Sequence, residues 1–301
     1  LIGRYRPLPT QGRRIAAALF ACLLASCGAP EVTLEVRPAM WLVEDDDTRI
    51  YLLGTMHALP AGTGWDGGQV AKAIASADEL VLELSPEQLA AVGAEFQRLA
   101  PRTAPLAMDK RLPADALAAY RTLEASGAGQ SFGGDALDDW AVMVVMGQRV
   151  AQNARLLPSN GVETGLTARF SDAGKPIGGL EGAREQLMLF ETLDPATQRT
   201  LLTRAAAGAG GAVADVETLT AAWSRGDVKA LETMINEDVD AVPAARRAII
   251  TDRNRRWSAW TATRMDKPGV VLVAVGAGHL VGADGLPALL TAKGYKVTRV
   301  Q

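Results

Sequence analysis

The chain reads as an α/β protein in which N- and C-terminal segments form a mixed central sheet and a large helical insertion separates them. Three observations predict this. Apolar runs and amphipathic stretches alternate from Met40 to about Leu99 in the order strand, helix, strand, helix, the pattern of a sheet with crossover connections. The middle of the chain is mostly helical in pattern, with insertions expected at about 101–160 and 183–265. Sheet character returns near the end with "GVVLVAV", Gly269 to Val275, a β-branched run of the kind buried on both faces.

The first segment reads as an address. Arg4, Arg6, Arg13 and Arg14 precede the apolar run "IAAALFACLLAS", Ile15 to Ser26, which is short for a membrane span and has the form of a secretory signal. The run ends in "LASC", Leu24 to Cys27, which resembles the lipobox of bacterial lipoproteins. That resemblance implies cleavage before Cys27, acylation of its thiol, and attachment to the periplasmic side of the cell envelope. Gly28 carries no inner-membrane retention signal, so the outer membrane is the expected leaflet. Residues 1–26 are then signal, 27–37 a tether and 38–301 the folded domain. The chain's two cysteines, Cys22 and Cys27, are both used up in this way, which leaves no thiol for a disulfide or a cysteine metal cluster. A hydrophobic content of 48% over the whole chain suffices for one core. A net charge of −3 gives no general reason to expect nucleic acid as a partner.

Met40 to Val43 and Ile50 to Leu53 flank Asp45, Asp46 and Asp47 and predict a hairpin. The acidic turn lacks the glycine and later glutamate of a calcium loop, so it is a solvated turn. A helix near Gln69 to Ala77 follows, then the strand "ELVLELS", then a helix opened by Ser85-Pro86-Glu87, a capping residue with proline in the first turn. In "DDWAVMVVMGQRVAQNARLL", Trp140, Met143, Val144, Gly147 and Val150 recur at helical spacing and predict a core stripe. A helix from about Thr164, the strand "KPIGGL" and a helix from Ala183 to Leu193 come next. "AAAGAGGAVAD" lacks the third glycine of a dinucleotide fingerprint and follows a helix, so it predicts a joint between helices. A helix near Gly285 to Lys293 and the strand "YKVTRV" close the chain.

The chain has two histidines, and both stand in the pattern Gly-x-x-His just past an apolar strand: "GTMH" ends at His57 and "GAGH" at His279. The carboxyl edge of an open α/β sheet is where ligands bind, and imidazole there serves as a metal ligand or a general base. Either role calls for carboxylates. Strand alternation puts Glu83 on one face with Val81 and Ser85, where a buried charge needs compensation. Glu163 in "NGVETGL" and Glu181 in "IGGLEGAREQ" follow glycine turns, positions open to helix capping or to a site. In "PAARRAIITDRNRRWSAWTATRM", Arg253 falls at the centre of the face made by Ile249, Ile250, Trp257 and Trp260 and calls for a buried anion, a glutamate or a substrate group.

These residues give the sequence its resemblance to the TraB/GumN family, and a distant one to Tiki-type metalloproteases, ChaN-type haem-binding lipoproteins and erythromycin esterases. It runs from about Trp41 to Val300, through "YLLGTMH", "VLEL", "GVE", "GLEGAREQ", "DRNRRW" and the closing block from Val273 to Val297. The resemblance implies an α/β core with a helical insertion and a metal-dependent hydrolytic site built on the paired histidine motifs and the acidic residue after the second strand. The leading expectation is that His57, Glu83 and His279 hold one divalent ion, zinc-, manganese- or cobalt-like, whose water attacks a peptide or a small ester or amide. Glu163 or Glu181 would be the base, and Arg253 with Asn254 would steady the oxyanion. Two alternatives stand beside it: a metal-free esterase with His57 as general base, and a non-catalytic lipoprotein that binds haem or a peptide.

Overall fold

The computed structural model describes residues 36–239 and 241–301. The expected signal, the lipobox expected at Cys27 and all but the end of the expected tether lie outside the described residues. Six strands form one sheet: β1 (Met40–Glu44), β2 (Thr48–Thr55), β3 (Glu79–Leu84), β4 (Ile177–Glu181), β5 (Gly269–Gly276) and β6 (Lys296–Arg299), in the spatial order β4-β3-β5-β2-β1-β6. β4, β3, β5 and β2 run parallel, while β1 pairs antiparallel with both β2 and β6. The sheet is therefore mixed, and the last long strand, β5, is inserted between β2 and β3. The acidic turn joins β1 to β2 as expected, closed by the Asp45 carboxylate accepting from the N–H groups of Asp47 and Thr48.

Alternation along the parallel strands sends side chains into two cores. Leu53, Leu80, Leu82, Leu272 and Ala274 face one; Ile50, Leu52, Val81, Val271, Val273 and Val275 face the other. Full burial of each leucine, isoleucine or valine among them contributes on the order of 2 kcal/mol. The first core is covered by α1 (Gly68–Ser76), reached directly from β2, and later by α5 (Val162–Asp172), α8 (Ala212–Ser224) and α9 (Val228–Val239). α2 (Pro86–Leu99) follows β3, with the Ser85 hydroxyl accepting from the Gln88 N–H at its cap.

α3 (Ala114–Ala125), α4 (Asp139–Asn153) and α7 (Pro195–Gly208) build a separate apolar cluster from residues such as Tyr120, Met146 and Leu202. On α4 the buried positions are Asp139 to Val142, Met146, Arg149 and Val150. Trp140 and Val150 are in the stripe read from the sequence, but Met143 and Val144 are half-buried and Gly147 is exposed. The reason is a buried ion pair: Asp139 takes Arg111 at 2.8 Å and also Arg199, which turns the polar residue inward and rotates the helix face. α6 (Ala183–Glu191) packs on α2. The glycine-rich joint falls between α7 and α8, at Ala209 to Gly211.

α10 (Pro243–Arg246) runs through a π-helical segment, Arg247–Thr251, into α11 (Asp252–Met265). α11 covers the second core with Trp257 and Met265, joined by α12 (Leu286–Ala292) through Leu286 and Leu290. No helix among the described residues is long and apolar enough to cross a membrane.

Candidate active site

β2 and β5 are adjacent and parallel, and Thr55 lies opposite Gly276 in their register. Each strand ends there, so the loops that carry His57 and His279 leave the same edge of the sheet side by side. β3, on the other side of β5, brings Glu83 to that edge, and β4 brings Glu181 beside Leu84. Gly276 explains the first glycine of its motif. A Cβ there would stand 3.2 Å from Glu83 Oε1, 3.7 Å from His57 Nε2 and 3.8 Å from His279 Cδ2. The two imidazoles and the carboxylate thus converge on one small space, which a side chain at position 276 would fill.

His57 is the open member of the set, its side chain 69% exposed to the cleft. Its Nδ1 lies 2.8 Å from Glu163 Oε1, and the Thr55 hydroxyl donates to the same oxygen. Glu163 sits in the first turn of α5, two residues beyond the Gly161 N-cap, so it is both the acidic residue favoured by the helix N-terminus and the partner of the histidine. α5 begins two residues before the expected Thr164 because Val162 N–H donates to the Met56 carbonyl, tying the helix start to the His57 loop. The Glu163 charge raises the His57 pKa to about 9, against burial of the rest of the ring, which lowers it. Burial would raise Glu163 in turn, but His57 and Thr55 hold it below the ordinary carboxylate range.

His279 is its opposite. It is buried, and its Nδ1 lies 2.7 Å from Asn254 Oδ1 while Arg253 Nη1 donates to Nε2 at 3.0 Å. A guanidinium only donates, so the ring is neutral with its proton on Nδ1. Burial first, with Arg253 adding to it, pushes its pKa down to about 3 despite the Glu83 carboxylate. Trp257 packs against the ring at 4.5 Å between centroids.

Arg253 does find the buried anion its place on α11 called for, and it finds two. Nη2 donates to Glu83 Oε2 at 2.6 Å and also to Glu181, Nε donates to Glu181 Oε2 at 3.1 Å, and Nη1 also reaches the Ile249 carbonyl at 3.2 Å. That carbonyl belongs to the π-helical segment. With the bond to His279 these use all five N–H groups of the guanidinium. Asn254 is fully buried, its amide donating to the carbonyls of His279 and Asp284. Neither residue keeps a donor for an oxyanion. Both are positioning residues, which changes the roles read from the sequence.

Glu83 accepts from Gly276 N–H at 2.7 Å. Burial would raise its carboxyl, but His279, Arg253 and that N–H outweigh burial and hold it at about 2; at neutral pH, where His279 is uncharged, Arg253 is the counter-ion that matters. Glu181 goes the other way, raised by burial and by the Glu83 charge in spite of Arg253. Its side chain is fully enclosed, so it is not placed to act as a base on a ligand in the cleft. The sequence reading missed Gln186, whose amide bridges Glu83 at 3.3 Å and Glu181 at 3.0 Å, and Thr55. "GLEGAREQ" held the signal for the first: a glutamine five residues after Glu181, on the first turn of the next helix.

The expected set of His57, Glu83 and His279 is brought together, but its donors do not fit an ion in this arrangement. Among the described residues no three His, Cys, Asp or Glu side chains are disposed to hold one. The cause is Arg253, which occupies His279 Nε2 and Glu83 Oε2 with positive charge where a cation would need them. In front of the cluster opens a cleft of about 560 Å³, whose lining includes the polar His57, Glu83, Glu163 and Gln186 and the apolar Leu84, Pro86, Leu89, Ala90 and Pro158.

The fold and this edge define an α/β protein with paired glycine-histidine loops over a buried carboxylate–arginine network. The model of the TraB/PrgY/gumN family matches residues 39–299, nearly the whole of the described chain. The protein belongs to that family. No curated protein and no solved structure matches it.

Proposed function

We propose that the chain is a hydrolase of ester or amide bonds in which His57 is the general base. The observation that carries this is the pairing of His57 Nδ1 with Glu163, which leaves Nε2 turned to the cleft within reach of the space that Gly276 opens beside Glu83. The neutral ring takes a proton from water through Nε2 as the water oxygen attacks the carbonyl carbon. Glu163 stabilises the imidazolium that forms, and the same proton then passes to the leaving group. Glu83, ionised throughout, accepts a hydrogen bond from the water and orients it. Arg253, Gln186 and Gly276 hold Glu83, and Asn254 and Trp257 hold His279 as an uncharged wall.

One observation favours the metal-dependent reading. Each imidazole has its Nδ1 backed by an oxygen, Glu163 on His57 and Asn254 on His279, the pattern seen behind metal-ligating histidines. It requires Arg253 to leave His279. Haem or peptide binding without turnover would use the same cleft. The signal and lipidated Cys27, which lie outside the described residues, would set the enzyme on the periplasmic side of the envelope, and an outer-membrane leaflet belongs to the same proposal.

The test is hydrolysis of p-nitrophenyl and peptide libraries by the purified chain and by His57→Gln, with and without a chelator. The expected outcome is turnover that survives chelation, falls at least about 100-fold in the variant, and climbs with pH to a plateau above about 9, where His57 loses its proton. Activity abolished by chelator and restored by a divalent ion would replace this reading with the metal-dependent one. Activity untouched by His57→Gln would end both.

A further inference from the structure

The apolar part of the cleft lining, supplied by α2, is unusual. α2 is a 14-residue helix with no buried residue, although Pro86, Leu89 and Ala90 stand one turn apart on its cleft side. Leu89 is 58% exposed, and it and Leu157 are the exposed large hydrophobic side chains among the described residues. Leu157 directly precedes Pro158, which lines the same cleft. An apolar strip left open to water costs free energy unless something covers it, and this strip is continuous with the reactive edge.

The charge of the cleft narrows what can cover it. Its ionisable lining residues are His57, Glu83 and Glu163, and among the described residues no lysine or arginine lines it. Glu163 is answered by His57, and Glu83 by Arg253 from behind. An anionic ligand would meet two carboxylates with no cation of its own, so the cleft suits a neutral group. Its volume, about 560 Å³, is in the range of small-molecule sites.

We infer that the substrate is a neutral ester or amide carrying a medium-length aliphatic acyl chain, its carbonyl at His57 and its chain laid along Leu84, Pro86, Leu89, Ala90 and Pro158. This rests on the hydrolase reading and names its substrate class. Leu89 is the specificity-determining side chain, because among the described residues that line the cleft it is the large hydrophobic that is left exposed.

The experiment measures kcat/KM for p-nitrophenyl acetate, butyrate and octanoate with the wild-type chain, Leu89→Asp and Leu89→Trp. A parallel calorimetric titration uses N-methyloctanamide, whose octanoyl chain is on the carbonyl side. In the wild type, octanoate should exceed acetate at least about tenfold, as expected for burying several methylenes. Leu89→Asp should shrink that ratio about fivefold or more, and Leu89→Trp, which fills the groove while keeping it apolar, should move the optimum to butyrate. Hydrolysis without chain-length preference, or a preference that both variants retain, overturns the inference and leaves His57 chemistry standing. No hydrolysis of any ester, with N-methyloctanamide bound by the wild type and lost in Leu89→Asp, overturns the hydrolase and keeps the apolar site. Neither turnover nor binding overturns both.

Discussion

His57 and His279 are the same residue in the same local motif, yet the fold sends their proton affinities in opposite directions. The difference is in what each ring touches. His57 faces a carboxylate and the open cleft, and Glu163 lifts it to about 9; His279 faces a guanidinium inside the core, where burial takes it to about 3. Because the chain has only these two imidazoles, their NMR titrations are directly separable. Replacing Glu163 with Gln removes the main cause of the upward shift, so the His57 midpoint should fall from about 9 towards the ordinary value near 6.5, and the rising limb of the rate profile should move to lower pH with it. A His57 midpoint unchanged in Glu163→Gln would mean that some other group holds the proton.

At the scale of elements, the site is made by close approaches between strand ends and helix starts. β5 ends in a glycine so that Glu83 and His57 can share the space above it, and the Gly161 at the start of α5 has a similar reason. A Cβ at Gly161 would overlap the carbonyl of His57 itself, a backbone atom that the Met56 to Val162 hydrogen bond keeps from retreating. Gly161→Ala should therefore push the His57 loop away from Glu163, with a loss of about 1–3 kcal/mol in urea unfolding and a drop in any His57-dependent turnover larger than the stability change explains. An alanine variant with wild-type stability and His57 titration would show that the loop yields freely. α11 contributes through its π-helical entry, whose Ile249 carbonyl takes one guanidinium N–H and helps fix Arg253 between the two glutamates.

For the whole molecule, the buried network should appear as a pH dependence of stability. His279 is held neutral in the fold, its pKa about 3 against about 6.5 in the unfolded chain, so the unfolded state binds the extra proton between those values. Its effect is absent above pH 6.5, and stability falls by about 1.4 kcal/mol per pH unit as pH drops from there towards 3. Glu83, held at about 2, adds stability that is complete above the usual carboxylate range and disappears as pH falls through about 2. His57 has the opposite sign: its contribution is full below about 6.5 and is lost as pH rises through about 9. Urea unfolding at pH 7, 5 and 4 should show the acid slope, and His279→Gln should flatten it; an equal slope in the variant would place acid sensitivity elsewhere.

Much of this architecture was legible in the residues alone. Alternation marked the strands, the β-branched run marked the doubly buried β5, and the periodicity of "RRAIITDRNRRW" called for an anion opposite Arg253, because those signals are local and the chain's stiffness imposes them. The recurrence of Gly-x-x-His likewise pointed to one sheet edge before any strand order was known. Only the tertiary structure decided that β5 lies between β2 and β3, that the awaited anion is a pair of carboxylates bridged by Gln186, and that Arg253 stands on His279 where a ligand ion was expected. It also turned α4 through the Asp139–Arg111 pair and left α2 open beside His57. Each of these is a contact between residues far apart in the chain, set by which partner burial and charge select.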